Sequence, residues 1–134
     1  MPYDKQPPGN VRSAQLAAMA ADHAQLSYEY LNSGDIDAYT SLFEKDAVLY
    51  HPELTVHGRE ELERYHQRNA GLRSYSVSRI VVSDRGEHVV VIGSTTEPGT
   101  DERMGFADVF TVSSCGLFTS QRAFRFALGR RDPR

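Results

Sequence analysis

In the first half of the chain, apolar residues recur every three or four positions, the spacing that lines one face of a helix. Gly34 suits the position just past a helix end, and Pro52 ends a β-type run because it has no N–H for a strand ladder. The pattern predicts helices over residues 13–31, 36–43 and 58–69, with a short strand at 47–51 and a loop through residue 56.

After residue 71 apolar and polar residues alternate, as they do in strands. The alternating runs predict antiparallel strands over residues 72–83, 88–96, 103–112 and 117–128, joined by short segments rich in turn-forming residues. This order of elements predicts an α+β fold with three N-terminal helices on one face of a strongly curved, mixed or antiparallel sheet, enclosing a pocket. We expect one domain over residues 13–128, with flexible tails at 1–12 and 129–134.

The pairing of the last two strands follows from the turn between them. If Ser114 and Cys115 form a two-residue turn, Asp108 faces Gln121 and shares a sheet face with it. The same face then carries Met104, Phe106, Phe110, Thr119, Ala123 and Arg125, and the opposite face carries Ala107, Val109, Phe118, Phe124 and Phe126. Both faces are largely apolar, and helices cover only one of them. A homodimer that covers the outer face is therefore our hypothesis.

Composition narrows the classes of partner and cofactor. The net charge of −3 and the scattered basic residues do not suggest nucleic-acid binding, and no apolar run is long enough to span a membrane. The single cysteine, Cys115, is typical of a cytoplasmic protein and excludes an intrachain disulfide. The sequence has no metal-ligand spacing, glycine-rich phosphate loop or nucleophile elbow, so we expect no metal and no cofactor.

Asp108 and His51 are the two candidate catalytic residues. Asp108 stands between Phe106 and Phe110, where burial would raise its pKa and favour a neutral form that donates a hydrogen bond to an enolate. The alternative is a structural aspartate whose hydrogen bonds are satisfied by Gln121 or a hydroxyl. His51 ends the first strand, and its imidazole could exchange protons near neutral pH. The alternative there is a half-exposed loop histidine.

Further residues could contact a ligand. His66, on the same side of the third helix as Leu62, either faces the pocket or is a core histidine. Arg125 either holds a carbonyl or carboxylate of the ligand or reaches solvent. The packing of Phe106, Phe110 and Ile92 would set the pocket volume.

Several segments together resemble the nuclear transport factor 2-like superfamily, which includes ketosteroid isomerases and SnoaL-like polyketide cyclases. The segments are YLNSGDIDAYTSLF at 30–43, DAVLYHP at 46–52, HGREEL at 57–62, ADVFTV at 107–112 and GLFTSQR at 116–122. The resemblance covers most of residues 13–128 and implies a cone-shaped roll that is often dimeric. Members of this superfamily include enzymes and proteins without catalytic activity.

The resemblance also implies roles for single residues. The general-base carboxylate of ketosteroid isomerases falls on His51, and their oxyanion-hole aspartate falls on Asp108. Their helix tyrosine falls on Ser27, beside Tyr28, so that tyrosine is missing or displaced. A further tyrosine of some isomerases falls close to His66. The Asp-Arg-Asp constellation of related epoxide hydrolases is not evident.

These residues together predict a cofactor-free isomerase, cyclase or dehydratase that acts on an apolar carbonyl or polyketide-like metabolite. In this hypothesis His51 moves the proton, Asp108 hydrogen-bonds the oxyanion, and His66, Gln121 and Arg125 orient the substrate. The remaining contacts are assigned to Tyr28, Phe106, Phe110 and Ile92. The alternatives are a protein that binds an apolar ligand without changing it, and a protein-association domain.

Overall fold

The computed structural model describes residues 9–96 and 102–128. Helices are α1 (Gly9–Ser33), α2 (Ile36–Thr40) and α3 (Arg59–Arg68); strands are β1 (Phe43–Tyr50), β2 (Thr55–His57), β3 (Tyr75–Val82), β4 (His88–Thr96), β5 (Arg103–Val112) and β6 (Phe118–Ala127). Because α1 begins at Gly9, the segment that we expected as a tail through residue 12 already contains helix. The predicted turn at 97–101 and the tail at 129–134 lie outside the described residues.

The strands form one curved mixed sheet in the order β2-β1-β6-β5-β4-β3. Strand β1 runs parallel to β6, and every other neighbouring pair is antiparallel. Helix α1 packs against β3 and β4, and α3 packs against β1. The predicted α+β architecture is thereby confirmed. Its core contains a cluster of buried aromatic residues between the helices and the inner face of the sheet, namely Tyr39, Phe43, Phe106, Phe110 and Phe118.

The segment between α1 and α3 differs from the prediction. The predicted second helix ended at Phe43, whereas α2 ends at Thr40 and Phe43 begins β1 opposite Phe118 of β6. Strand β2 was predicted as loop, yet Val56 pairs with Leu49 of β1. Both differences arise because pairing with other strands, which local periodicity does not record, determines the conformation of these short segments.

The register between β5 and β6 is shifted by two residues from the predicted one. Asp108 is opposite Ala123, and Phe110 is opposite Gln121. The connection is longer than a two-residue turn, because the Ser113 N–H bonds to the Leu117 carbonyl. A shift of two keeps Asp108 and Gln121 on one face, since side chains alternate along a strand.

An irregularity near the end of β5 turns one predicted outer residue inward. The register changes between Thr111 and Val112, and Val112 is opposite Phe118. Phe118 was expected on the outer face but is fully buried and lies 4.4 Å from Phe110, measured between ring centroids. A bulge of this kind alters which side of the sheet the next residues occupy.

The outer face carries exposed apolar side chains on adjacent strands. Ile92, Ala107 and Phe124 lie side by side across β4, β5 and β6. Ile92 is 36% exposed and Phe124 is 48% exposed. The expectation that Ile92 borders the pocket is therefore wrong, because the alternation of β4 directs Val91 inward instead. Among the described residues, no helix is long and apolar enough to cross a membrane.

Candidate active site

One cavity lies between the helices and the inner face of the sheet. It has a volume of about 40 Å³ and is bordered by α1, α3, the end of β1, and strands β5 and β6. Six of the nine predicted site residues line it: Tyr28, His51, His66, Asp108, Gln121 and Arg125. These residues come from parts of the chain up to about a hundred positions apart, and the fold brings them to one place.

Asp108 is the centre of the polar wall. It is 1% exposed, and its Oδ1 accepts a hydrogen bond from Nη1 of Arg125 at 2.9 Å. Its Oδ2 accepts a short hydrogen bond from the Tyr28 hydroxyl. Burial raises the pKa of Asp108, whereas the Arg125 charge and hydrogen bonds from Tyr28, Arg125 and Gln121 oppose that rise. Both oxygens of Asp108 thus accept hydrogen bonds from protein donors, and its role as a donor to a ligand stays a prediction.

The tyrosine of the first helix is present, displaced by one position. Ser27, where the resemblance placed it, donates its hydroxyl to the Ala24 carbonyl at 2.7 Å within α1. Tyr28 reaches Asp108 instead, and burial raises the pKa of Tyr28 well above its usual value. A phenol with a raised pKa remains protonated and can donate. Tyr28 therefore supplies the phenol donor that the sequence left missing or displaced.

Phe106 and Phe110 lie behind the cavity and do not line it. Phe106 is completely buried and stacks on Tyr28, with ring centroids 5.3 Å apart. Phe110 meets the Tyr28 ring edge-on at 6.3 Å. The two phenylalanines were expected at the pocket surface, but Tyr28 packs against both rings and separates them from the cavity. They hold the phenol in position through aromatic packing.

His51 sits at the end of β1 with its ring partly buried. Its pKa is lowered by burial, and further by the positive charges of Arg125 and Arg73. The backbone N–H of Glu53 donates to Nδ1 at 3.4 Å, which favours the neutral tautomer with its proton on Nε2. That Nε2 is buried and has no hydrogen-bond partner among the described residues.

His66 is a second neutral imidazole in the cavity wall. It lies one helical turn after the buried Leu62 of α3, which places it on the inward face. Burial, and to a smaller extent the charge of His51, lowers the pKa of His66 to about 4. Its ring packs edge-on against Tyr39 at 4.5 Å and Tyr65 at 5.0 Å. The Nε2 of His66 is also buried without a partner within residues 9–96 and 102–128.

Gln121 and Arg125 complete the polar wall from β6. Oε1 of Gln121 accepts a hydrogen bond from the Tyr39 hydroxyl at 3.2 Å. The Arg125 guanidinium lies 5.4 Å from the centre of the Phe106 ring, a cation–π contact. Nε of Arg125 is buried and has no partner in the described part of the chain. The cavity wall therefore contains an unused guanidinium donor in addition to two imidazoles.

Sequence reasoning missed several residues of the cavity wall, namely Tyr65, Asn69, Arg73 and Tyr75. Tyr65 follows the buried Leu62 by three positions on α3, a spacing that could have identified it. Arg73 and Tyr75 give no such signal, because Arg73 precedes β3 and Tyr75 is its first residue, where the alternating pattern is weak. The described residues contain no cluster of three or more His, Cys, Asp or Glu side chains that could hold a metal ion.

Comparison with known proteins identifies the family. The model of the SnoaL-like domain matches residues 24–121. Similar solved structures include an NTF-2 like protein of unknown function from Burkholderia xenovorans LB400, with 15% identity, a TM-score of 0.74 and coverage of 86% of this chain and 88% of that one.

Two further structures are of proteins whose names state an activity. SalBIII, an epoxide hydrolase/cyclase-like enzyme in pyran ring formation in polyether salinomycin, has 20% identity, a TM-score of 0.71 and coverage of 81% and 91%. An LEH-like epoxide hydrolase of M. tuberculosis has 18% identity, a TM-score of 0.69 and coverage of 81% and 84%. At these identities the likeness establishes the fold. A search of curated proteins found no match. Because the family model matches most of the sequence, this chain belongs to the SnoaL-like domain family.

Proposed function

We propose that the protein is a cofactor-independent isomerase or cyclase that transfers a proton within an apolar carbonyl or polyketide-like compound. The observation that carries this proposal is the composition of the cavity wall. A buried carboxylate, Asp108, lines the same small cavity as His51 and Arg125, each of which has a buried nitrogen without a partner among the described residues. Buried donors without partners are uncommon in proteins, which makes these two nitrogens candidates for hydrogen bonds to a ligand oxygen.

The hydrogen bonds favour roles that are the reverse of those predicted from the sequence. Asp108 accepts hydrogen bonds from Tyr28 and Arg125, which suits a carboxylate that receives a proton. Burial, which raises its pKa, makes that carboxylate a stronger base than an exposed one. His51, neutral and protonated on Nε2, suits a donor to the substrate oxygen.

The proposed step conserves protons and electrons. Asp108 takes a proton from the carbon next to the substrate carbonyl, and the electron pair of that C–H bond moves toward the carbonyl oxygen. The resulting enolate oxygen accepts hydrogen bonds from Nε2 of His51 and Nε of Arg125, which act as an oxyanion hole. Return of the proton to another carbon isomerises the substrate. In a cyclase the enolate carbon attacks a second carbonyl carbon of the same molecule, the π bond of that carbonyl breaks, and its oxygen takes the proton held by Asp108.

The size of the cavity limits what can enter. A volume of about 40 Å³ corresponds to room for about three water molecules. Only the carbonyl end of a substrate fits among the polar groups, and its larger apolar body must lie toward Leu31 and Ile36 at the wall of the cavity. The similarity to SalBIII supports a substrate of the polyketide type, because that enzyme takes part in pyran ring formation.

Hydrogen–deuterium exchange at carbon tests the proton transfer without the natural substrate. A panel of cyclic and open-chain ketones is incubated with protein in D₂O, and loss of the α-proton signal is followed by NMR. We expect exchange to fall by about two orders of magnitude or more in Asp108→Asn, because a general base contributes about that much. His88→Gln, at an exposed site on β4, is the control. Full exchange by both Asp108→Asn and His51→Gln would refute the mechanism.

A binding function without catalysis is the second candidate. It is favoured by the fact that both oxygens of Asp108 are already satisfied by protein donors, as in a purely structural cluster. Mass analysis of a bound compound after prolonged incubation separates the two. Recovery of unchanged compound at one equivalent per chain, with no deuterium incorporated, would support binding alone.

A further inference from the structure

Tyr39 contacts two polar residues of the cavity wall from behind. It is 1% exposed, lies on α2 and does not line the cavity. Its hydroxyl donates to Oε1 of Gln121 at 3.2 Å, and its ring packs against His66 with centroids 4.5 Å apart. One buried side chain thus connects α2 to both β6 and α3. None of the roles proposed above uses it.

The contact with Gln121 determines which end of that amide is available. A glutamine amide has an oxygen that only accepts and a nitrogen that only donates. Gln121 and Asp108 lie on the same face of neighbouring strands and line the same cavity. With Oε1 engaged by Tyr39, the amide nitrogen is the end left for Asp108, and Gln121 opposes the rise in the Asp108 pKa. An amide turned by half a rotation would present its oxygen to Asp108. That arrangement is compatible only with a protonated carboxyl group.

We infer that Tyr39 is a positioning residue that fixes the Gln121 amide and thereby keeps Asp108 in its ionised, proton-accepting state. Burial raises the pKa of Tyr39 well above its usual value, so its hydroxyl stays neutral and can donate at every pH of interest. The other titratable and charged groups that act on Asp108 or share its cavity wall are Tyr28, His51, Tyr65, His66, Arg73, Tyr75 and Arg125. Only the catalytic consequence of this inference rests on the proposed function.

The direct test is the titration of Asp108 itself. Protein labelled with ¹³C at the aspartate carboxyl carbons is titrated by NMR, and the Asp108 signal is assigned with Asp108→Asn. We expect the pKa of Asp108 to be higher in Tyr39→Phe than in the wild type, because Gln121 is released to turn. Tyr50→Phe is the matched control. Tyr50 of β1 lies under the Arg122 guanidinium, and the substitution removes only a hydroxyl. An Asp108 titration that is the same in Tyr39→Phe and wild type overturns the inference.

A second variant separates the amide from other effects of the phenol. Gln121→Leu removes the same donor and should raise the pKa of Asp108 even if Tyr39→Phe does not fold. In the Gln121→Leu background, Tyr39→Phe should add no further shift. A shift of equal size in that background would show that Tyr39 acts on Asp108 by another route, and would overturn the proposed path.

Activity provides a readout that distinguishes this inference from the proposed function. If Asp108 is the base, the acid limb of the exchange rate should move to higher pH in Tyr39→Phe, while the rate at high pH is retained. If the protein only binds its ligand, no exchange is seen in any variant, yet the NMR shift of Asp108 persists. If Tyr39→Phe instead lowers the exchange rate at high pH and leaves the acid limb of the pH profile in place, the variant has a general structural defect. That result would count against a positioning role for Tyr39.

Discussion

The neutral state of His66 makes the stability of the protein depend on pH. Burial lowers the pKa of His66 from 6.5 to about 4 in the folded state. In the unfolded chain the imidazole titrates near its ordinary value, so between these two values the unfolded state binds a proton that the folded state does not. This contribution to stability is therefore fully present above the unfolded pKa and is lost as the pH falls toward the folded pKa.

The size of the effect follows from those two values. Between about pH 7.5 and about pH 5, His66 alone should lower the free energy of unfolding by about 2 kcal/mol. The assay is urea unfolding at both pH values for wild type and for His66→Phe, which keeps a ring between Tyr39 and Tyr65 but cannot titrate. The wild type should lose about 2 kcal/mol more than His66→Phe over this interval.

His51 also has a lowered pKa and adds to the loss of stability at low pH. The informative quantity is therefore the difference between wild type and His66→Phe. His88→Phe, at an exposed position, repeats the chemical change away from the cavity. If His66→Phe and the wild type lose the same stability between the two pH values, the buried neutral imidazole is not present in solution and the reasoning fails.

Four further predictions concern the cluster around Asp108, the sheet and the outer face. Tyr28→Phe should lower the free energy of unfolding by about 2 kcal/mol, measured by urea, because Asp108 loses a buried donor. Arg125→Met should lower the free energy of unfolding by about 3 kcal/mol at neutral pH, and adding Asp108→Asn should restore part of that loss. If the double variant restores none of it, the ion pair is not the cause. Gly93→Ala should destabilise by about 1–3 kcal/mol in thermal melts, because its Cβ would lie 2.1 Å from a β3 carbonyl oxygen. Phe124→Arg should yield monomers in light scattering if a second copy covers the outer face, whereas a monomeric wild type would refute that dimer.

Elements whose pattern is long and regular were predictable from the sequence. Strands β4 and β5 have the predicted bounds, His88–Thr96 and Arg103–Val112, because alternation over nine or ten residues has no helical interpretation. Strand β2 was not predictable, since three residues carry no period and its pairing with β1 depends on a turn in which the His51 N–H bonds to the Leu54 carbonyl. Local pattern therefore predicts long elements and fails for short ones.

The candidate site was predictable by residue type but not by geometry. Asp108 and His51 were found because a carboxyl group within an apolar strand and a histidine at a strand end are visible in the sequence. Which residue of α1 meets Asp108 was not visible, because each step along a helix turns the side chain by about 100° and packing sets the rotation. Tyr28 and Asp108 are 80 positions apart, and the stacking of Tyr28 on Phe106 selects it over Ser27. Hydrogen-bond direction, on which the roles proposed for His51 and Asp108 rest, depends on three-dimensional contacts alone.

The presence of the cluster around Asp108 is itself an argument for a functional site. Asp108 and Arg125 lie against a core of aromatic side chains, with 1% and 15% of their side chains exposed. Transfer of such a pair from water costs free energy that its mutual attraction rarely exceeds, and well-packed apolar residues of similar volume often stabilise a fold equally or better. Stability therefore does not explain why a carboxylate, a guanidinium, a phenol and an amide converge at one small cavity. A requirement to bind or to change a polar group inside that cavity does explain it, and the cost of burial is then borne by the rest of the aromatic core.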